Sequence, residues 1–221
     1  MSSGFFITGT DTEVGKTRIS VGLIEVLKQQ GHRVAAMKPV ASGCEQTATG
    51  LQNEDALALQ AAASVRSPYS QLNPYAFAPA IAPHIAALQD GVEINLTNLV
   101  THYQQIAETA DVVVVEGAGG WLVPLNRQQT IADLAIALNL PVILVVAIRL
   151  GCINHALLTA ESVRRSGLTL AGWVANNLTV DPQQENIIAA ISERIDAPCL
   201  GVVPRLADKS SAADYLMAPV C

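Results

Sequence analysis

Residues 8–17 read TGTDTEVGKT. A Gly-Lys-Thr triplet at the start of a helix is suited to holding phosphate. Backbone N–H groups there point at the anion, and the helix dipole favours negative charge. Lys16 would reach the β- and γ-phosphate oxygens, and the Thr17 hydroxyl would ligate Mg²⁺. Glu13, Val14 and Gly15 complete the expected cradle for the phosphates of ATP. The spacing departs from the common G-x-x-x-x-G-K-[ST], because five residues separate Gly9 from Gly15. The longer loop places polar Thr10, Asp11, Thr12 and Glu13 where glycines often sit, so it could recognise something beside the phosphates.

Further residues fall where a parallel sheet would present them, at the carboxyl ends of its strands. Glu116 follows four valines, and Gly117, Ala118 and Gly119 follow it. In phosphate-loop proteins an acid in that place commonly serves the metal, and the small residues permit close backbone approach to a ligand. Lys38 ends an apolar run. It reads equally as a lysine whose head snorkels to solvent and as a catalytic group. Asp55 lies in the first turn of an expected helix, where an acid favouring the dipole is as good a reading as a metal ligand. His84, Trp121 and Trp173 read as packing residues.

These groups need a scaffold, and the sequence supplies one. Apolar runs at 5–9, 33–39, 111–117, 141–148, 170–176 and 199–204 read as strands covered on both faces. They alternate with expected helices at 16–30, 53–63, 96–109, 130–139, 154–166 and 183–194. Gly31 and Gly167 sit like C′ glycines, and Asp181-Pro182 reads as N-cap and N1 of the sixth helix. Such alternation predicts an α/β fold: a doubly wound, mainly parallel sheet with helices on both faces, of the P-loop NTPase type. The stretch 64–95 holds four prolines and three of the seven Phe and Tyr residues. It reads as an ordered loop over one end of the sheet and part of a substrate wall. With no repeat and no linker, residues 1–221 are expected to form one domain.

Composition narrows the class. Half of the 221 residues are apolar, 14% are charged, and the net charge is −6 with the cations scattered, which argues against nucleic acid as partner. The longest apolar run, PVILVVAI, is too short to cross a membrane. The four cysteines are far apart, with no metal-binding spacing. With no signal-peptide pattern, a reducing, cytoplasmic home is expected.

Taken together, GTDTEVGKT (9–17), KPVASG (38–43), DALALQ (55–60), NPY (73–75), PHI (83–85), VEGAGGW (115–121), LGCINHA (150–156) and GLTLAGWVAN (167–176) resemble the dethiobiotin synthetase family, which has the same extra loop residue. The resemblance reaches to about residue 206 and weakens in 177–198. It implies a ligase that joins CO₂ (or bicarbonate) to diaminopelargonic acid to give dethiobiotin at the expense of MgATP, which yields ADP and phosphate. It also implies Lys16 and Lys38 as catalytic lysines, Thr17, Asp55 and Glu116 as metal ligands, and Thr12 and Ser42 as substrate contacts. Asn176, Asn177, Pro204, Arg205 and Leu206 are implied for the nucleotide base. Gly151, Cys152 and Asn154 are implied as an anion site for the substrate carboxylate, delivered across a homodimer interface, with Asn154 capping the helix there. Arg149 stands where the family leads one to expect lysine. The tail lacks the expected acid for the ribose, for which Asp208 is a candidate substitute.

The same loop branch also contains regulatory ATPases of the cell-division and partition type. Those carry an extra lysine early in the loop, where this chain has Gly9 and Thr10, and many end in a basic amphipathic helix. An amidotransferase synthetase half would need a glutaminase domain, for which the chain has no room. A paralogue acting on a different diamine is the nearest alternative.

Overall fold

In the computed structural model, described for residues 3–180, 182–207 and 210–219, the chain opens with β1 (Ser3–Gly9), α1 (Lys16–Gln29) and β2 (Val34–Met37). Short pieces follow: β3 (Val40–Ser42), β4 (Glu45–Thr47), β5 (Gly50–Gln52), α2 (Glu54–Ala62), α3 (Tyr69–Leu72), β6 (Tyr75–Phe77) and α4 (Pro83–Gln89). Regular alternation then resumes with α5 (Leu96–Ala107), β7 (Val112–Gly120), α6 (Ile131–Leu138), β8 (Val142–Ala147), α7 (Cys152–Arg165), β9 (Leu170–Asn176), α8 (Gln184–Ser192) and β10 (Cys199–Val203).

Six strands form one parallel sheet in the order β10-β9-β8-β1-β7-β2. The doubly wound α/β fold read from the alternation is the one observed. Strand periodicity distributes the core between two faces. Phe5 and Ile7 pack with Ile19, Leu23 and Leu27 of α1. Phe6, between them, packs the other way with Leu99 and Ile106 of α5 and Ile131 and Leu134 of α6. At the far side, Leu144 and Val146 pack with residues of α7 and α8. Trp121 meets Phe6 edge-on at 6.4 Å, and Trp173 is fully buried, so both tryptophans are packing residues as expected.

Winding reverses at β1, since β7 lies on one side of it and β8 on the other. The crevice this opens at the carboxyl ends of the strands is where ligands of such sheets bind. Gly31 (φ 90°) and Gly167 (φ 84°) take the left-handed conformation that ends α1 and α7.

Three expectations are corrected. The stretch 64–95 is not a loop throughout, because Pro68 precedes α3, Pro83 begins α4, and β6 pairs in parallel with β3. The segment after Lys38 also contains an antiparallel hairpin, β4–β5. Helix α7 begins at Cys152, because Gly151 adopts φ 88° and serves as N-cap without a side chain; Asn154 is therefore inside the first turn and caps nothing. Helix α8 begins at Gln184, and Asp181 lies outside the described residues. Among the described residues no helix is long and apolar enough to cross a membrane.

Candidate active site

The loop after β1 turns tightly, with Glu13 (φ 58°) and Gly15 (φ 86°) in the left-handed region. Gly15 is the N-cap of α1 and no side chain caps that terminus, so its first N–H groups face outward for an anion. Glycine is required at 15 for a second reason. A Cβ there would lie 2.2 Å from Asn176 Nδ2, which donates to the Val14 carbonyl at 2.8 Å.

Beside this loop lies a cleft of about 690 Å³. It is lined by Thr12, Glu13, Gly15, Lys16, Thr17, Lys38, Ser42, Asp55, Glu116, Ala118 and Gly119, all singled out from sequence. Four elements deliver its charged groups. Strand β1 leads to Lys16 and Thr17, β2 ends just before Lys38, β7 carries Glu116, and Asp55 comes from the first turn of α2.

The charges form one interlocked set. Lys38 Nζ lies 2.5 Å from Glu116 Oε1 and 3.0 Å from Asp55 Oδ2. Thr17 Oγ1 donates to the same Glu116 oxygen at 2.9 Å. Lys38 and Glu116 are both buried. Burial works against the Lys38 ammonium, but Glu116 and Asp55 override it and hold its pKa above the ordinary lysine value. Burial likewise works against the Asp55 carboxylate, yet Lys38 and the Thr17 hydroxyl hold its pKa below the ordinary value. Lys16, donating to the Asp11 carbonyl at 3.2 Å, has no such pairing. Burial, and next the charge of Lys38, push its pKa down to about 8.

The oxygens of Thr17, Asp55 and Glu116 suit Mg²⁺, a hard cation usually held by one or two carboxylates with substrate phosphates. Glu116 Oε2 is buried without a hydrogen-bond partner, an acceptor such an ion would satisfy. Among the described residues no group of three or more His, Cys, Asp and Glu is placed to hold a metal, so phosphate and the Thr17 hydroxyl would have to contribute.

Other predicted residues lie elsewhere. Asn176 and Asn177 are buried at the end of β9, on the far shoulder of the phosphate loop, and Asn177 Oδ1 has no partner. Pro204, Arg205 and Leu206 follow β10, where the Leu206 carbonyl accepts from Arg18 at 3.2 Å. At Gly117 the space a Cβ would fill is bounded by Ile131 and Phe6 at 3.2 Å, so packing against the core also favours glycine there. Gly151 and Asn154 are exposed, Cys152 is buried, and none of the three lines the cleft. Arg149 pairs with Asp11 of the phosphate loop at 2.7 Å. Asp208 lies outside the described residues. Sequence reasoning missed Asn53, Glu54 and Val123 on the cleft wall, whereas the run 80–83, also on it, lies in the stretch 64–95 expected to form part of a substrate wall. The signal for Asn53 was its place before α2, which it caps by accepting from Ala56 N–H at 3.2 Å.

A family model described as an AAA domain matches residues 3–213, so the chain belongs to that family. An ATP-dependent dethiobiotin synthetase of Pseudomonas paraeruginosa is 55% identical over 213 residues, covering 95% of this chain and 92% of the relative. Enzymes of the same name from Cellvibrio japonicus and Chromohalobacter salexigens are 53% and 48% identical, covering 95% and 97% of this chain and 92% and 98% of their own. Among solved structures, the septum site-determining protein MinD of Pyrococcus horikoshii, complexed with Mg-ADP, superposes with TM-score 0.57 at 14% identity over 97% of this chain and 93% of its own. The cell division ATPase MinD of Pyrococcus furiosus superposes with TM-score 0.58 at 14% identity over 97% and 95%. At that identity these likenesses establish the fold.

Proposed function

We propose that this chain, which belongs to the family of ATP-dependent dethiobiotin synthetases, joins CO₂ to diaminopelargonic acid and closes the ring to dethiobiotin, converting ATP to ADP and phosphate. The single observation that carries the reading is the convergence of Lys16, Lys38, Thr17, Asp55 and Glu116 on one cleft in a chain about half identical to such enzymes.

The chemistry asks for this arrangement. One amine of the substrate takes up CO₂, releasing a proton, to form a carbamate. A carbamate oxygen attacks the γ-phosphorus, the bond to ADP breaks, and a carbamic-phosphoric anhydride results. The second amine then attacks the carbonyl carbon and phosphate leaves. The hard step brings one anion onto another. Lys16, buried at the start of α1, would hold the γ-phosphate and stabilise the charge that develops there. Lys38 would neutralise the carbamate and orient it in line. Thr17, Asp55 and Glu116 would hold Mg²⁺, which when bound supplies further charge neutralisation on the phosphates. Thr12 and Ser42 face the same cleft and are assigned to the diamine; the Ser42 hydroxyl has no internal partner. Asn176, Asn177 and the 204–206 backbone are assigned to the base.

We assign the substrate carboxylate to the first turn of α7. That turn lies outside this chain's own cleft, so the reading requires a homodimer in which a second copy supplies Gly151, Cys152 and Asn154. One synthetase domain over residues 1–221 and a cytoplasmic location complete the proposal. The free thiols of Cys44, Cys152 and Cys199 fit a reducing compartment.

The test is phosphate release from ATP with Mg²⁺ and bicarbonate, with and without diaminopelargonic acid, with dethiobiotin followed by mass spectrometry. Diamine-dependent release with matching dethiobiotin is expected. Hydrolysis indifferent to the diamine, with no product, would overturn the assigned acceptor and favour a regulatory ATPase or a paralogue.

A further inference from the structure

Lys38 is delivered by a chain that has just left its sheet. Strand β2 ends at Met37, and Pro39, lacking an N–H, cannot extend a ladder. The Lys38 backbone is held instead by the end of α3. Its N–H donates to the Leu72 carbonyl at 2.9 Å, and its carbonyl accepts from Asn73 Nδ2 at 2.7 Å. Asn73 is buried, with a second amide contact to the Tyr75 carbonyl at 3.3 Å. Its Oδ1 accepts the Tyr69 hydroxyl at 3.0 Å. The same hydroxyl oxygen accepts the Asn53 N–H at 2.8 Å, and Asn53 caps the helix that carries Asp55. One phenolic hydroxyl therefore joins the segment bearing Lys38 to the segment bearing Asp55.

We infer that Asn73 and Tyr69 are positioning residues for the reaction, fixing where Lys38 stands relative to Asp55. The inference rests on the catalytic reading of Lys38. Geometry supports a positioning role over plain packing. The bonds end on backbone groups of residues that face the cleft, and Tyr69 itself is only partly buried. A hydrogen bond removed there leaves a buried amide oxygen of Asn73 and the Asn53 N–H without partners. Relaxing them moves the two segments independently. Misplacing a catalytic group by about 1 Å can cost roughly a hundredfold in rate.

Tyr69→Phe tests this with the loss of one atom. Turnover is expected to fall roughly tenfold, with ATP affinity by calorimetry and the thermal midpoint near wild type. Tyr75→Phe is the control. Its hydroxyl serves the Asn95 N–H at 3.1 Å, away from Lys38, and turnover should stay at the wild-type level. Asn73→Ala should lower turnover further, and the double variant should be no worse than Asn73→Ala, because both act on one linkage. Unchanged turnover in Tyr69→Phe would overturn the inference. So would losses that multiply in the double variant, or a fall in ATP affinity that follows the fall in melting temperature. Lys38→Met, assayed beside them, separates the failures. If it keeps full turnover, the catalytic reading itself is wrong; if it loses turnover while Tyr69→Phe does not, only the positioning role is.

Discussion

An ammonium between two carboxylates is a cation in a place that suits another cation. Lys38 pairs with Glu116 and Asp55, the groups assigned above to Mg²⁺, so under that assignment lysine and divalent ion would compete for the same oxygens. Removing one partner of a buried pair leaves the other charge uncompensated, at about 3 kcal/mol or more. Lys38→Met should therefore destabilise the metal-free protein by about 3 kcal/mol in urea denaturation. It should also bind Mn²⁺ without nucleotide more tightly than wild type, measured by the loss of the free-ion electron resonance signal. Equal Mn²⁺ affinity in the two proteins would mean that the carboxylates are not the metal's. Lys16 offers no such compensation. Its charge has the phosphate as its natural partner, and Lys16→Ala should lower single-turnover phosphoryl transfer by about a thousandfold. Full activity in that variant would refute the phosphate-loop assignment. These roles were unequally legible in sequence. Lys16, Thr17 and Glu116 stand in a motif or at a strand end, where position implies role. Asp55 could not be separated from a helix-dipole acid, because what it faces depends on where α2 is docked. Asn73 and Tyr69, in the role inferred for them, would act on the backbone N–H and C=O groups of Asn53 and Lys38, a target that every residue offers and that the sequence does not mark.

At the scale of elements, the sheet was legible because burial on both faces demands apolar runs, such as the four valines before Glu116. Gly31 and Gly167 marked helix ends because left-handed backbone favours glycine. The start of α7 was misread for a related reason. Gly151 caps it by conformation alone, and Asn154, a good capping residue type, drew the boundary two positions late. Element junctions also carry two testable energies. The starts of β2 and β7 are fastened by Asp111, which accepts the Arg33 N–H at 2.8 Å. That hydrogen bond, with the Arg33 charge, holds the Asp111 pKa below its ordinary 3.8. A carboxyl lowered on folding contributes stability above the unfolded pKa and loses it as pH falls through the folded one. Stability of wild type should fall more steeply than that of Asp111→Asn on acidification below about pH 5; identical slopes in denaturation midpoints would remove the fastener. At the other edge, a Cβ on Gly201 would lie 2.1 Å from the Tyr215 carbonyl, where the chain returns after β10 and Leu216 bridges Gly201. Because the obstacle is backbone, Gly201→Ala should cost about 2 kcal/mol, read as a lower denaturant midpoint at unchanged slope.

For the whole molecule, the question is where the substrate's negative end rests. The cleft of one chain offers two lysines, both engaged with phosphate and carbamate in the proposed reaction. The first turn of α7, where the Cys152 N–H is already donated to the Arg149 carbonyl at 3.1 Å while the later N–H groups suit a carboxylate, does not line that cleft. Leu150 is 99% exposed beside it, and Leu158, one turn beyond Asn154 on the same helical face, is 62% exposed. Apolar side chains bare to water next to the turn proposed to hold the carboxylate are what a surface covered by a second copy would look like. Two such copies could each lend α7 to the other's cleft. Wild-type protein should therefore sediment as a dimer, and Leu158→Glu should shift it toward monomer. The monomer should keep its affinity for ATP, because every group assigned to the nucleotide lies within one chain, while its KM for the diamine rises by about tenfold or more. Asn154→Ala, which leaves Leu158 in place, should remain dimeric and raise the diamine KM without touching ATP. A monomeric wild type with full turnover would return the carboxylate site to this chain's own cleft, with the partly buried Ser42 and the buried Asn53 beside it as the groups left to bind it.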